Sequence, residues 1–388
     1  MSETHDLFAA CQPGLEPLLV RELQALGAAP RTLPGGAAFR GDVALAMRAC
    51  LWLGTASHVL LRLREFPCRA LGELQRKAAL LPWQQWLRPN VPVEVRASTR
   101  GSRVYHTGAI VERVENAIAA ALTAPLRRPT GEQDLVAHVH ARFHGDVCTL
   151  SLDTACTPLH RRGYRLETAK APLREDLAHA LVLASGWTPA HALLDPFAGS
   201  GTIAIEAAGL ALGLPPGRLR PPALHHLALF DAATWLEVAQ APTPRKAAAS
   251  QTMAKVAASD RDAGAIEAAR HNAERAGVAG HVTFGCHAVT AHPWLAPGAA
   301  PPQGVLVTNP PFGVRVQHAE NLLSLYQTIG HRTARLGPGW RVAILAHDVR
   351  LARRTGLPLL AAFTTKHGGL TVTALVGEAA AVTSEESR

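Results

Sequence analysis

Leu193-Leu194-Asp195-Pro196-Phe197-Ala198-Gly199-Ser200-Gly201-Thr202 carries an apolar strand end into a Gly-Ser-Gly turn and on into the apolar run 202–212. Such a turn aims backbone N–H groups and the positive end of a helix at whatever binds above the strand, and its glycines allow close approach. Three nucleotide-binding readings compete for it. A phosphate-cradling P-loop needs a lysine after the last glycine, and none follows Gly201. A dinucleotide site could use Gly199, Gly201 and Ala204, but the acidic residue expected about 20 positions on is missing, since 221 is Pro. In the third reading the ligand is S-adenosylmethionine. Asp195 then holds the methionine ammonium, directly or through water, and Phe197, Ala198, Gly199, Ser200, Gly201 and Thr202 line the cofactor. The motif alone discriminates weakly, and a mere turn-capping role for Asp195 stays open.

From about residue 171 onward this strand, turn, helix pattern repeats. Val256–Ser259 leads to Asp260–Asp262 and the helical run Ala263–Ala276. Val305–Thr308 leads to Asn309–Gly313 and Leu322–Leu336, and Arg341–Ala346 leads to Val349–Thr355. Such alternation predicts a parallel sheet wrapped by helices. Leu359–Thr365 and Leu370–Val376 read as an antiparallel finish, and Pro-rich 213–254, with a short helix near 232–238, reads as an insertion. A carboxylate at Asp260, one strand from the glycine turn, suits both ribose hydroxyls of an adenosine. Asp262 reads instead as the N-cap of the helix that ends at Gly277.

Val307-Thr308-Asn309-Pro310-Pro311-Phe312-Gly313 carries the chemistry. Two prolines directly after an apolar strand cannot continue a sheet ladder, so they fix a rigid extended loop at its carboxyl edge. An exocyclic nucleobase amine is a poor nucleophile because its lone pair is delocalised into the ring. The Asn309 amide oxygen and the Pro310 carbonyl, accepting its two hydrogens, would hold the nitrogen in line with a sulfonium methyl. Phe312 would stack on the extruded base.

The chain has 388 residues, 48% of them hydrophobic, which is length and apolar content for two or three domains. No apolar run reaches 18 residues, and the acidic N-terminus lacks signal-peptide character, so a cytoplasmic location is expected. Six scattered cysteines without a C-x-x-C pair support neither a zinc ribbon nor a disulfide framework. Net charge is +9, pointing toward polyanionic partners, although five lysines among 39 basic residues also fit a GC-rich genome. Residues 1–170 carry 21 basic and 15 acidic side chains, against 18 and 15 in the rest.

In the N-terminal half, Leu7–Ala10, the amphipathic run Gly14–Leu26, Gly36–Arg40 and Asp42–Leu53 read as a small α+β unit. A second follows with a helix over Ala70–Leu80, a strand over Val91–Ala97, a helix over Ala109–Leu122, and a hairpin of Leu135–Phe143 and Val147–Asp153 turning at His144-Gly145-Asp146.

The order Asp195-Pro-Phe-Ala-Gly-Ser-Gly-Thr, Ser259-Asp260, Asn309-Pro-Pro-Phe resembles class I methyltransferases that modify amino groups. Phe8-Ala-Ala-Cys-Gln-Pro-Gly-Leu-Glu-Pro-Leu-Leu, Tyr105-His-Thr-Gly-Ala-Ile, Leu150-Ser-Leu-Asp and Leu159-His-Arg-Arg-Gly-Tyr-Arg extend the likeness to THUMP-containing RNA methyltransferases. Almost the whole chain is covered. The nearest branch is that of the large-subunit rRNA guanine-N2 enzymes, often labelled N6-adenine-specific methylases. The resemblance implies an α/β architecture: a ferredoxin-like segment over 1–66, a THUMP RNA-binding domain over 67–165, and a Rossmann-like, mostly parallel methyltransferase domain over 166–388 with the insertion at about 213–254. It also implies that Ala171-Pro-Leu-Arg-Glu lies against the cofactor. One position departs from the family, where an Asp after the third strand usually meets the adenine N6. Here His287 stands there, and its neutral imidazole or a backbone carbonyl would have to accept that bond.

The expected activity is S-adenosylmethionine-dependent methylation of a guanosine N2 amine, in 23S rRNA. A tRNA guanine-N2 or adenine-N6 target presents the same two hydrogens to Asn309. Arg96, Arg100, Arg103, His106 and the cluster 160–165 are candidates for RNA contact. His138, His140 and His144 suggest a metal, but no Cys or carboxylate near them in sequence completes a ligand set, so none is expected. Neither is a membrane contact or an obligate protein partner. A non-catalytic RNA-binding assembly factor would tolerate Asn309→Ala, and a nicotinamide-dependent oxidoreductase would bind NAD(P) instead.

Overall fold

The structure, a computed structural model, describes residues 3–123, 125–131, 135–167, 172–242, 255–311 and 319–379. In chain order it runs β1 (His5–Cys11), α1 (Glu16–Ala25), β2 (Arg31–Leu33), β3 (Gly36–Gly41), α2 (Val43–Trp52), β4 (Ala56–Pro67), α3 (Leu71–Ala79), β5 (Val93–Arg100), α4 (Thr107–Leu122), β6 (Ala137–His144) and β7 (Val147–Asp153). There follow α5 (Glu175–Ala184), β8 (Ala192–Asp195), α6 (Thr202–Ala211), α7 (Ala232–Gln240), β9 (Val256–Asp260), α8 (Ala263–Arg275) and β10 (Val282–Cys286). The last elements are β11 (Gly304–Thr308), α9 (Ala319–Ala334), β12 (Trp340–Ala346), α10 (Val349–Arg353), β13 (Leu360–His367) and β14 (Leu370–Glu378). None of the described helices is long and apolar enough to cross a membrane.

The chain forms two compact units. One comprises Met1–Cys11, Leu19–Leu159 and Arg220–Pro242; the other comprises Gln12–Leu18, His160–Leu219 and Thr243–Arg388. The first holds a seven-stranded sheet in the order β2-β3-β1-β4-β7-β6-β5, antiparallel except for the β5–β6 pair. β4 joins its halves, pairing Leu61 with Leu7 of β1 and Leu60 with Asp153 of β7. The boundary expected at residues 66 and 67 therefore falls at the end of a strand shared by both flanking segments. β4 itself shows no clean alternation in sequence because a register shift between Arg62 and Arg64 interrupts its period.

Part of the segment expected as an insertion in the C-terminal domain belongs to the N-terminal unit. Leu227 bridges to Leu87, the Leu224 N–H donates to the Thr154 carbonyl at 2.7 Å, and α7 packs on α2. Ala223, Leu224, His226 and Leu227 are buried there.

The second unit holds a sheet in the order β10-β9-β8-β11-β12-β14-β13, parallel from β10 through β12, with β14 antiparallel to both β12 and β13. Every residue of β8 and β11 is buried, as expected of central strands covered on both faces, which is why they read as unbroken apolar runs. Leu306, Tyr326, Ile329, Trp340 and Ile344 are among the core residues of this unit. The expected cap of α8 is present, Asp262 Oδ1 accepting from the Gly264 and Ala265 N–H groups at 2.9 and 3.3 Å. Parallel pairing puts the carboxyl ends of β8, β9, β10 and β11 along one edge.

Candidate active site

Asp195, Asp260, His287 and Asn309 end or directly follow β8, β9, β10 and β11, so they share that edge. The turn after β8 places Gly199 at φ +50° and Gly201 at φ +83°, the left-handed region that glycine enters without strain. The Gly201 N–H closes the turn on the Ala198 carbonyl at 2.8 Å, and α6 starts at the next residue. A Cβ on Gly201 would come within 2.9 Å of Ala269 Cβ on α8. Gly201→Ala is therefore expected to cost about 2 kcal/mol of stability, from left-handed strain and displacement of α8, read as a lowered urea midpoint.

Asp195 is buried. Its Oδ1 accepts from the Phe197 N–H at 3.1 Å and from the Thr308 hydroxyl at 3.0 Å, while Oδ2 has no hydrogen-bond partner among the described residues. Burial pushes this carboxyl up to about 7; the two hydrogen bonds oppose the rise and the nearby Asp260 charge adds to it. Asp260 knits the turn to its neighbour strand, Oδ2 accepting from the Gly199 N–H and Oδ1 from the Asp262 N–H, both at 3.0 Å. Each oxygen keeps lone pairs for a ligand. The His287 N–H donates to the Asp260 carbonyl at 2.9 Å, and its ring stands edge-on to that of His292, centroids 6.2 Å apart.

Asn309 is half-buried and Pro310 buried; the Asn309 Oδ1 is a second acceptor without a partner among the described residues. Two buried side-chain oxygens at the ends of adjacent strands β8 and β11 thus lack partners among the described residues, where most buried acceptors are satisfied. Phe312 lies outside the described residues.

The methyltransferase-domain family described as RMKL-like matches residues 162–374, and the RlmL ferredoxin-like domain matches residues 6–60. The chain belongs to the RMKL-like methyltransferase family. It is 35% identical over 370 residues to the ribosomal RNA large subunit methyltransferase K/L of Syntrophotalea carbinolica, covering 90% of this chain and 50% of that protein. The protein slr0064 of Synechocystis sp., named as an RNA methyltransferase, is 32% identical, with 96% of each chain covered. Among solved structures, SMU.472, named as a methyltransferase and complexed with SAH, superposes with a TM-score of 0.83 at 26% identity, covering 97% of this chain and 98% of the other. The chain spans about half the length of the K/L relatives it matches. The resemblance to this family and the ferredoxin-like start are thus borne out.

Within this RMKL-like domain, sequence reading missed three supports of the site. Thr308 fixes Asp195; Asn272, buried on α8, donates through Nδ2 to the Ser200 carbonyl at 3.1 Å; and Ser259, buried before Asp260, accepts the Ala198 N–H on its carbonyl at 2.9 Å. A polar residue closing an otherwise apolar strand was the available signal for Thr308 and Ser259. Within the basic cluster 160–165 the expectation is corrected for Arg162, Tyr164 and Arg165, while Arg161 is exposed. Arg162 is buried against Glu206, Tyr164 donates its hydroxyl to Glu206 at 3.1 Å, and Arg165 pairs with Glu175 at 2.7 Å, so these side chains are internal supports. Of the other candidates, Arg96 is exposed and paired with Glu94, the Arg103 N–H donates to Asp146, and His106 caps α4.

Proposed function

We propose that the chain is an S-adenosylmethionine-dependent RNA methyltransferase that modifies the N2 amine of a guanosine in large-subunit rRNA, in the cytoplasm. The observation that carries this reading is the pair of buried acceptors, Asp195 Oδ2 and Asn309 Oδ1, that are unpartnered among the described residues at the ends of neighbouring strands. The named activities of the K/L relatives favour rRNA as the substrate.

When bound, the cofactor supplies an electrophilic sulfonium methyl. Asp195 accepts the amino-acid ammonium, Asp260 the ribose hydroxyls, and His287 meets the adenine. The turn from Phe197 to Thr202 offers its backbone as a close wall. Asn309 Oδ1 and the Pro310 carbonyl accept the two hydrogens of the target amine and aim its lone pair, and Phe312 stacks on the base. No strong base is needed, since a cationic product amine readily sheds its proton. The segment 67–165, read as a THUMP module, captures the RNA.

A buried carboxyl at about 7 must give up its proton to meet an ammonium. Cofactor affinity is therefore expected to fall as pH drops through this value, approaching tenfold per unit at lower pH, because the ligand-free form binds the extra proton. Titration calorimetry with S-adenosylhomocysteine between about pH 5.5 and 8.5 reads this slope. Asp195→Asn should weaken binding and flatten the profile; an unchanged slope in that variant assigns the titration elsewhere.

The deciding experiment is mass-spectrometric nucleoside analysis of rRNA and tRNA from a strain lacking the gene, complemented with wild type or Asn309→Ala. Loss of N2-methylguanosine from large-subunit rRNA, restored by the wild type alone, is expected. Unchanged nucleosides in every fraction would overturn the enzyme reading.

A further inference from the structure

Away from the strand ends of the C-terminal unit, the N-terminal unit brings two imidazoles and a carboxylate together. His58 on β4, Asp153 at the end of β7 and His140 on β6 stand on three strands that neighbour in that order. One ligand atom from each lies within 4.8 Å of the other two. His58 Nδ1 is 2.6 Å and His140 Nε2 3.7 Å from the same oxygen, Asp153 Oδ2. Pleating accounts for the grouping. Val59 and Leu61, Val139 and Ala141, and Leu150 and Leu152 are buried core residues, so the residues alternating with them face the other side of the sheet.

We propose that His58, His140 and Asp153 form a binding site for a divalent transition-metal ion, with zinc the best match. Two imidazole nitrogens and one carboxylate oxygen suit zinc, whereas magnesium and calcium favour all-oxygen sets. Bonds of about 2.0–2.1 Å to a tetrahedral zinc separate ligand atoms by about 3.4 Å. The two separations from Asp153 Oδ2, 2.6 and 3.7 Å, bracket that value, and the two imidazole nitrogens lie within 4.8 Å of each other, a spacing that side-chain rotation can adjust. Asp153 Oδ1 is already engaged by the Ala155 N–H at 3.1 Å, which turns Oδ2 toward the imidazoles. The Asp153 carbonyl is tied in turn to His226 Nε2 at 3.1 Å. His140 Nε2 is buried and without a hydrogen-bond partner among the described residues, an atom left beside the carboxylate at 3.7 Å. The Asp153 side chain is 1% exposed, but the imidazoles are 23% and 24% exposed, leaving a route for the ion and an open coordination position for water. Position in the sequence hid the set, since both partners of His140 lie on other strands. His138, singled out with it by spacing, faces Glu94 at 3.2 Å.

The test uses the full chain, stripped with a chelator and titrated with zinc against a chromophoric competitor, and separately with cobalt. One zinc per chain is expected, together with cobalt absorption of a low-coordinate nitrogen and oxygen site. His58→Gln and His140→Gln should each weaken zinc binding at least ~10-fold, with His138→Ala unchanged. Circular dichroism of the stripped variants confirms that they are folded; if either is not, the wild-type stoichiometry and cobalt spectrum decide. Absence of saturable zinc binding by the wild type at micromolar concentration overturns the site, as does binding that both folded variants retain.

Discussion

Asn309→Ala is expected to slow methyl transfer by a hundred- to a thousandfold, about 2.7–4 kcal/mol, while leaving cofactor affinity and thermal stability near wild type. The reasoning starts from what Asn309 does not do. Its Oδ1 has no partner among the described residues, so truncation breaks no internal bond made by that acceptor, and Pro310 and Pro311 restrict the backbone without it. On the proposed mechanism, what disappears is an acceptor that orients the target amine, a contribution strongest as the bond forms. Single-turnover transfer of labelled methyl to rRNA, alongside calorimetry with S-adenosylhomocysteine, separates the effects. A rate within a few-fold of wild type would remove Asn309 from the proposed chemistry.

Arg162→Ala is expected to lower stability by about 3–5 kcal/mol. Arg162 and Glu206 side chains are 1% and 5% exposed, with Arg162 Nε 3.3 Å from Glu206 Oε1. Tyr164 also donates to that oxygen, and His179 Nδ1 lies 2.8 Å from Oε2. Burial alone would raise the Glu206 carboxyl; the Arg162 charge and the His179 bond more than offset it and bring it down to about 2. Because the folded value lies below the ordinary 4.5, the network stabilises the protein fully above that pH, and the contribution fades as pH falls toward about 2. Deleting the guanidinium leaves a buried carboxylate short of its main counter-charge. Urea unfolding at neutral pH reads the loss, and Arg162→Met with Glu206→Gln should recover part of it by removing both charges. A loss under about 1 kcal/mol in the single variant would mean that solvent reaches Glu206.

The C-terminal unit was legible because its chemistry and its topology coincide. A parallel strand covered on both faces must be apolar, so the polar residues at its carboxyl end, Asp195, Asp260 and Asn309, stand out against it. The same logic could have found Thr308. The N-terminal unit yielded its elements but not its assembly. β4 is the strand that fuses its two halves, yet the register shift between Arg62 and Arg64 blurs the signal. Local composition misled at Arg162 and Arg165, where a run of arginines suggests solvent, although Arg161 between His160 and Arg162 is exposed. Only Glu206 and Glu175, supplied by α6 and α5, turn Arg162 and Arg165 inward. Ligand sets such as His58, His140 and Asp153 leave no trace at short range, because cross-strand neighbours in a sheet need share no sequence spacing.

The passage of Arg220–Pro242 through the N-terminal unit bears on the order of synthesis. On the ribosome, the strands of that unit emerge early, but Leu224 and Leu227, which fill its interior, are translated only after β8 and α6 of the other unit. The nascent N-terminal half must therefore wait, with α2 lacking its α7 partner, until the later chain loops back. A gene fragment cut at residue 165 encodes all seven strands of the sheet but not the segment Arg220–Pro242 that packs into the same unit, whereas one extending past residue 242 encodes the whole unit.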